Sequence, residues 1–173
     1  MAPLVAPAIV LALTLSAVTA CASATPSSGP PATGVPGLAL SDVGVQPVER
    51  PEAAIAMAFD TEGAAELVVA VPDSIDFASK ALLCVYLGER PTAGWRLDLD
   101  SATLSDGELR IVARENTPRG DGGEPQQTFP GDCALLNRSA LPVGELRASA
   151  HDTLSDEGIV TGTVIVPDSS SAP

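Results

Sequence analysis

From Trp95 to Arg114 the apolar side chains stand at alternate positions on both sides of an Asp-Gly pair. No other feature constrains the fold as tightly. In Trp95-Arg96-Leu97-Asp98-Leu99-Asp100 every second residue is apolar, the period of a strand with one buried face. Asp106-Gly107 follows, and both positions tolerate the positive φ of a tight hairpin turn. The return run, Glu108-Leu109-Arg110-Ile111-Val112-Ala113-Arg114, alternates again through Ile111. A second hairpin is expected at Glu145–Ala150 and Ile159–Val166, turning through Leu154–Gly158. Further strands are expected at Ala54–Phe59, Glu66–Val71, Leu82–Leu87 and Cys133–Asn137, with one helical turn over Ile75–Ser79 capped by Asp73 or Ser74. About seven or eight short strands with Gly and Pro turns predict an all-β chain, a compact antiparallel β-sandwich or open barrel. The stretches SATLSDGEL and HDTLSDEGI look alike, which two hairpins with the same turn chemistry explain without duplication.

Charge removes whole classes of function. Against 22 acidic residues stand 9 basic ones, a formal net charge of −13. Neutralising phosphates needs clustered Lys and Arg, so a nucleic-acid partner is not expected, nor docking on anionic headgroups through a basic patch. The 173 residues suit one domain, and 45% hydrophobic residues suffice for a core.

The N-terminus carries an apolar run, Ala8 to Val18, too short to span a bilayer as a helix. It fits the apolar part of a secretory signal. Val18-Thr19-Ala20-Cys21 resembles the lipobox of bacterial lipoproteins, in which the cysteine is lipidated and the signal is cut just before it. That resemblance implies a signal over residues 1–20 and a lipid on Cys21, although Met1 to Pro7 carries no Lys or Arg. Ordinary secretion with cutting after Ala24 is the alternative. Residues 21–44 are expected to form a Pro/Ser/Gly-rich tether, and 168–173 a disordered tail, because neither holds enough apolar surface to offset the entropy of ordering. The β domain is then expected at 45–167.

Within it, Ile75-Asp76-Phe77 and Leu83-Cys84-Val85-Tyr86-Leu87-Gly88-Glu89-Arg90-Pro91-Thr92-Ala93-Gly94-Trp95 resemble the C-terminal domain of protease complex subunit PrcB. That family carries an F…G-x-x-P-T-G-G-Y signature on a strand, loop and strand, and further on a T-Q…P segment. Asn116-Thr117-Pro118-Arg119-Gly120-Asp121 and Gln126-Gln127-Thr128-Phe129-Pro130 occupy that later place. The resemblance covers about residues 75–150. Ala93 stands where the family has glycine and would resist a positive φ; Trp95 replaces tyrosine. Pro91-Thr92-Ala93-Gly94-Trp95 is also similar to the N-P-T-T-G-Y/F loop of chagasin-like protease inhibitors, which enters the protease cleft. Such a loop needs Pro to fix φ, Gly to turn and an aromatic anchor. Arg90, Pro91, Thr92, Ala93, Gly94 and Trp95 are therefore the candidate protein-binding loop. For its tip, recognition and a plain turn both stand. Trp95, sharing the parity of Leu97 and Leu99, is expected to fill the core.

With Cys21 lipidated, Cys84 and Cys133 remain as an even pair in an exported setting. A disulfide is favoured, with two buried thiols as the alternative. Neither these cysteines nor the single histidine shows zinc spacing. Asp98, Asp100, Asp106 and Glu108 lack an EF-hand pattern and suit the wet face of a hairpin. No G-x-S-x-G elbow occurs, and His151-Asp152 has no serine context. No catalytic residue, metal or cofactor is therefore expected, and the chain is read as a non-enzyme. Arg119-Gly120-Asp121 is a chance tripeptide, and Asn137-Arg138-Ser139 a sequon without meaning in a bacterial lipoprotein.

The expectation is a bacterial envelope lipoprotein, bound to the membrane through Cys21, whose β domain is an accessory module for an exported protease or another envelope protein. Its contact surface would be the Arg90–Gly94 loop, the Asn116–Pro125 loop or an edge strand. A chagasin-like inhibitor and a structural envelope lipoprotein are the alternatives.

Overall fold

A computed structural model describes residues 37–118 and 125–168. The elements are β1 (Ser41–Asp42), β2 (Ala53–Ala58), α1 (Thr61–Ala65), β3 (Lys80–Leu87), β4 (Arg90–Thr92), β5 (Arg96–Ser105), β6 (Glu108–Asn116), β7 (Pro125–Thr128), β8 (Gly131–Asn137), β9 (Gly144–Asp152) and β10 (Gly158–Val166). They form one sheet in the order β1-β8-β3-β2, a second in the order β10-β9-β6-β5, and a separate β4–β7 pair. The all-β architecture expected from the alternation is the one that forms, and among the described residues no barrel closes.

The first sheet is built around β3. Its sequence, KALLCVYL, is apolar at nearly every position, and residues 81–87 are all buried, as a strand covered on both faces requires. Ala81, Leu83, Val85 and Leu87 enter the core between the sheets, against Leu109, Ile111 and Ala113 of β6 and Leu146, Ala148 and Ala150 of β9. Leu82, Cys84 and Tyr86 enter a second cluster with Ala58, Ala64, Leu67, Val68 and Cys133. There the Tyr86 hydroxyl donates to the Leu67 carbonyl at 2.8 Å. The second sheet is covered on one face, so β6 alternates, Leu109 and Ile111 buried while Glu108 and Arg110 are exposed. In β9 the alternation breaks at Ser149, which is buried with its hydroxyl donating to Glu108.

Both expected hairpins form. β5 pairs antiparallel with β6, placing Ser105 opposite Glu108, and β9 pairs antiparallel with β10. Asp106 and Gly107 take φ values of 51° and 76° at the first turn, and Asp156 takes 55° at the second. The two similar stretches share only an Asp at positive φ: the first turn spans two residues and the second five, 153–157. Between the hairpins, β6 and β9 lie parallel. The chain leaves β6, crosses to the other sheet for β8, and re-enters beside β6 at its starting end.

Cys84 lies opposite Cys133 in the β3–β8 register, and the two form a disulfide with a Cα–Cα distance of 4.2 Å. The sheets are also tied at their edges. A bulge between Leu99 and Ser101 interrupts the β5–β6 ladder, and the Leu99 N–H donates to Asp132 Oδ2 of β8 at 2.8 Å.

Three local expectations are overturned. Glu66–Val71 is not a strand. Asp60 accepts from Gly63 N at 2.7 Å and caps α1, so the chain enters this stretch from a helix. Leu67 and Val68 then plug the second cluster, with a single bridge from Val68 to Pro47. The turn before β3 is organised by Asp76 rather than Asp73 or Ser74: its carboxylate accepts from Ala78 N at 3.1 Å and Ser79 Oγ at 2.7 Å. The Ser79 hydrogen bond, with that from Ala78, holds the Asp76 carboxyl below its ordinary range despite some opposing desolvation. Finally, the packed part begins before residue 45. β1 pairs with β8, Leu38 N donates to Ala102 O at 2.8 Å, and Leu38, Leu40 and Val43 pack on the clusters. These leucines and valine supply apolar surface that the preceding Pro/Ser stretch lacks. The signal, Cys21, the earlier tether, Arg119-Gly120-Asp121 and the tail beyond Asp168 lie outside the described residues.

Candidate protein-binding site

Two crossings carry the chain between the sheets at one end of the sandwich: β3 to β5 through residues 88–95, and β6 to β8, described at residues 117–118 and 125–130. β4 and β7 are the parts of those crossings that pair, Arg90 opposite Thr128 and Thr92 opposite Pro125. The turn between β9 and β10 reaches the same end, because Asp152 lies in register with Ala113 of β6. One end of the molecule therefore collects three irregular segments on a rigid base, the usual setting for a binding surface.

The structure brings the six candidate loop residues together and gives them different tasks. Arg90 is the fastener. Its Nη1 donates to the carbonyls of Leu87 at 2.8 Å and Glu89 at 3.3 Å. Its Nη2 and Nε reach Glu115 Oε1 at 3.2 and 3.4 Å, and the guanidinium lies 5.3 Å from the Trp95 ring centroid. A guanidinium held at this many points is a brace rather than a free hook. Pro91 is exposed, on the outside of the β4 ribbon. Thr92 works through both ends: its Oγ1 accepts from Trp95 Nε1 at 3.0 Å, and its carbonyl accepts from Thr128 Oγ1 at 3.1 Å. The turn falls at Ala93-Gly94, and the positive φ of 93° belongs to Gly94. Ala93, the departure from the family pattern, is thereby spared the left-handed conformation. A Cβ on Gly94 would meet Pro118 Cβ at 3.3 Å, so this glycine also lets the two crossings approach.

Trp95 corrects the sequence reading. It is half-buried, precedes β5 and belongs to neither core cluster. Its parity with Leu97 is real, but the indole turns to Thr92 and Arg90 instead of packing on the core. Around it opens a cleft of about 390 Å³, lined by Arg90, Trp95, Glu115, Asp152, Glu157 and Ile159 among others.

Sequence reasoning missed the far wall of this cleft. Asp152 organises it. Its carboxylate accepts from Glu115 N at 3.3 Å, Leu154 N at 3.1 Å, and Ser155 N and Oγ at 3.0 and 3.1 Å. Desolvation pushes this carboxyl up, but the hydrogen bonds from Glu115, Ser155 and Leu154 outweigh it and hold the group below its ordinary value. The signal was present in the order Asp152-Thr153-Leu154-Ser155, an Asp positioned to accept from the backbone of the turn it opens. Glu115 could not have been found from the sequence, because only the crossing of β3 onto the other sheet brings Arg90 to it.

The acidic hairpin residues behave as a wet face. Asp98 accepts from Asn116 Nδ2 at 2.7 Å, Asp100 from Arg114 Nη2 at 3.0 Å and Thr153 Oγ1 at 2.9 Å, and Asp106 from Ser105 Oγ at 3.0 Å. Glu108 accepts from Ser149. Among the described residues no group of three or more His, Cys, Asp or Glu side chains is arranged to hold a metal ion.

Residues 82–129 match the model of the family described as PrcB C-terminal. The resemblance read from the motif is therefore found, over a shorter span than expected. The matched stretch runs from β3 through β7 and contains both crossings and the near wall of the cleft; Asp152, Glu157 and Ile159 lie beyond it. No curated protein and no solved structure matches the chain.

Proposed function

We propose, taking the PrcB C-terminal match at residues 82–129 as premise, that the β domain is a non-catalytic protein-binding module, an accessory to an exported protease. The chain holds it at the bacterial envelope through a lipid on Cys21. The observation that carries this reading is where the matched residues fall. They build the braced β4–β7 end of the sandwich, where Arg90, Thr92, Thr128 and Trp95 lock one another. A preorganised loop loses little freedom on docking, which favours binding. The same rigidity suits a chagasin-like wedge, so an inhibitor is the second reading; ordinary secretion is the alternative localisation.

The test is a crosslinked pull-down from native envelope with the full-length protein as bait, run beside its Thr92→Ala variant. An exported protease captured by the parent and diminished with the variant is the expected result. Assaying the captured protease separates assistance from inhibition. Equal capture by both baits removes this loop from the interface, and empty baits leave a passive envelope protein as the better account.

A further inference from the structure

We propose that the cleft between Trp95 and the β9–β10 turn is a pocket for a single Lys or Arg side chain of the docked polypeptide, and that Glu157 is its anionic contact. This rests on the docking reading and names the chemistry of the contact. The cleft holds three carboxylates, Glu115, Asp152 and Glu157, against one guanidinium, Arg90. Arg90 and Glu115 are committed to each other at 3.2 Å, and Asp152 is committed to its turn. Glu157 is different. It is exposed, and among the described residues its carboxylate has no hydrogen bond or ion pair; only its backbone is used, the carbonyl accepting from Asp152 N at 2.9 Å.

The remaining lining suits the stem of such a side chain. Trp95 offers an aromatic wall and Ile159 an apolar patch, and long basic residues bury their methylenes on such surfaces while keeping the charged head polar. The volume, about 390 Å³, admits one long side chain with part of its backbone. The acidity of the whole chain, −13, steers a basic partner toward it. The two walls also divide the work. The Trp95 wall lies within the family-matched residues and the Glu157 wall outside them.

Trp95 is the only tryptophan in the chain, so its emission reports the cleft directly. The full chain, held in detergent, is titrated with acetyl-Ala-Arg-Ala-amide and with the citrulline analogue, which keeps the shape and loses the charge. The expected result is a saturable change in Trp95 emission with the arginine peptide and a markedly weaker one with citrulline. Glu157→Gln should weaken the arginine peptide by about twofold to fivefold, the scale of one exposed charge pair, and Glu157→Lys by about tenfold or more. Glu157 sits in an exposed turn, so neither variant should disturb folding, which an unchanged thermal midpoint verifies. Equal binding of both peptides, or no saturable change, overturns the proposal. The pull-down separates this failure from that of the docking reading. A partner captured equally by the parent and Glu157→Lys sinks the pocket alone, whereas peptide binding without any captured partner sinks the accessory role alone.

Discussion

At the residue scale, the division of labour in the Arg90–Trp95 loop makes its positions separable by mutation. Trp95→Ala removes a half-buried indole that packs on neither core cluster, so it should cost about 1–2 kcal/mol in urea unfolding, well under the roughly 3–5 kcal/mol of a core aromatic. A loss in the larger range would return Trp95 to the core. Thr92→Ala deletes one hydrogen-bond acceptor and should cost under about 1 kcal/mol, while releasing the indole from its fixed orientation and weakening partner capture. Gly88 is the opposite kind of position. It has φ of 74°, and a Cβ there would lie 2.8 Å from Ala53 N and 3.0 Å from the Pro51 carbonyl. Gly88→Ala should therefore be among the most damaging single changes, losing more than about 2 kcal/mol, because both backbone strain and a clash with main-chain atoms apply. The Pro-Thr-Ala-Gly-Trp motif was legible as a turn with an aromatic anchor. What the turn anchors to was not, since Glu115 and Thr128 are brought to it only by tertiary structure.

At the scale of elements, the hairpins were the most legible part of the chain. Period-two patterning and Asp-Gly chemistry are local signals, and the register Ser105 opposite Glu108 follows from them. Glu66–Val71 failed for a matching reason: a short apolar run reads alike as a strand or as a plug, and Asp60 capping α1 decided between them. The β6–β9 parallel pairing leaves no local trace at all. Two carboxylates make opposite predictions about pH. Asp152, held low by the hydrogen bonds of its turn, stabilises the fold above its unfolded value, and that contribution is lost as pH falls through its folded value, below 3.8. Asp152→Asn should flatten this acid limb. Asp132 is raised, chiefly by burial and against the hydrogen bonds from Leu99 and Cys133. The folded state therefore binds its proton more readily than the unfolded one, and stability from this group declines as pH climbs from 3.8 through the raised value. Chemical denaturation of the parent and Asp132→Asn between pH 7 and pH 4 should show the parent gaining on the variant as pH falls. A gap that stays constant would mean that burial does not raise the Asp132 carboxyl.

For the whole molecule, a β3 strand buried on both faces and cross-linked to β8 makes the first sheet the rigid base on which the binding end stands. The Cys84–Cys133 bridge spans a sequence separation of 49, and a loop of that length restricts the unfolded chain by roughly 4 kcal/mol. The Cys84→Ala/Cys133→Ala double variant should accordingly lose about 3–4 kcal/mol in denaturant, with a further loss from the two sulfurs removed from a buried cluster. The pairing could be anticipated only on the expectation of an exported chain with a lipidated Cys21, which leaves Cys84 and Cys133 as a pair. Its cross-strand placement could not, since nothing in the sequence sets β3 beside β8 in that register. The proposed docking surface is the end of the sandwich formed by the β4–β7 ribbon and the β9–β10 turn. Its most direct test places a photo-crosslinking amino acid in the full-length protein at Thr117, on the cleft rim, or at Thr103, an exposed position on the β5 strand. After irradiation in native envelope, an adduct with an exported protease should form from position 117 and not from 103. Adducts of equal yield from both positions, or from 103 alone, would contradict it.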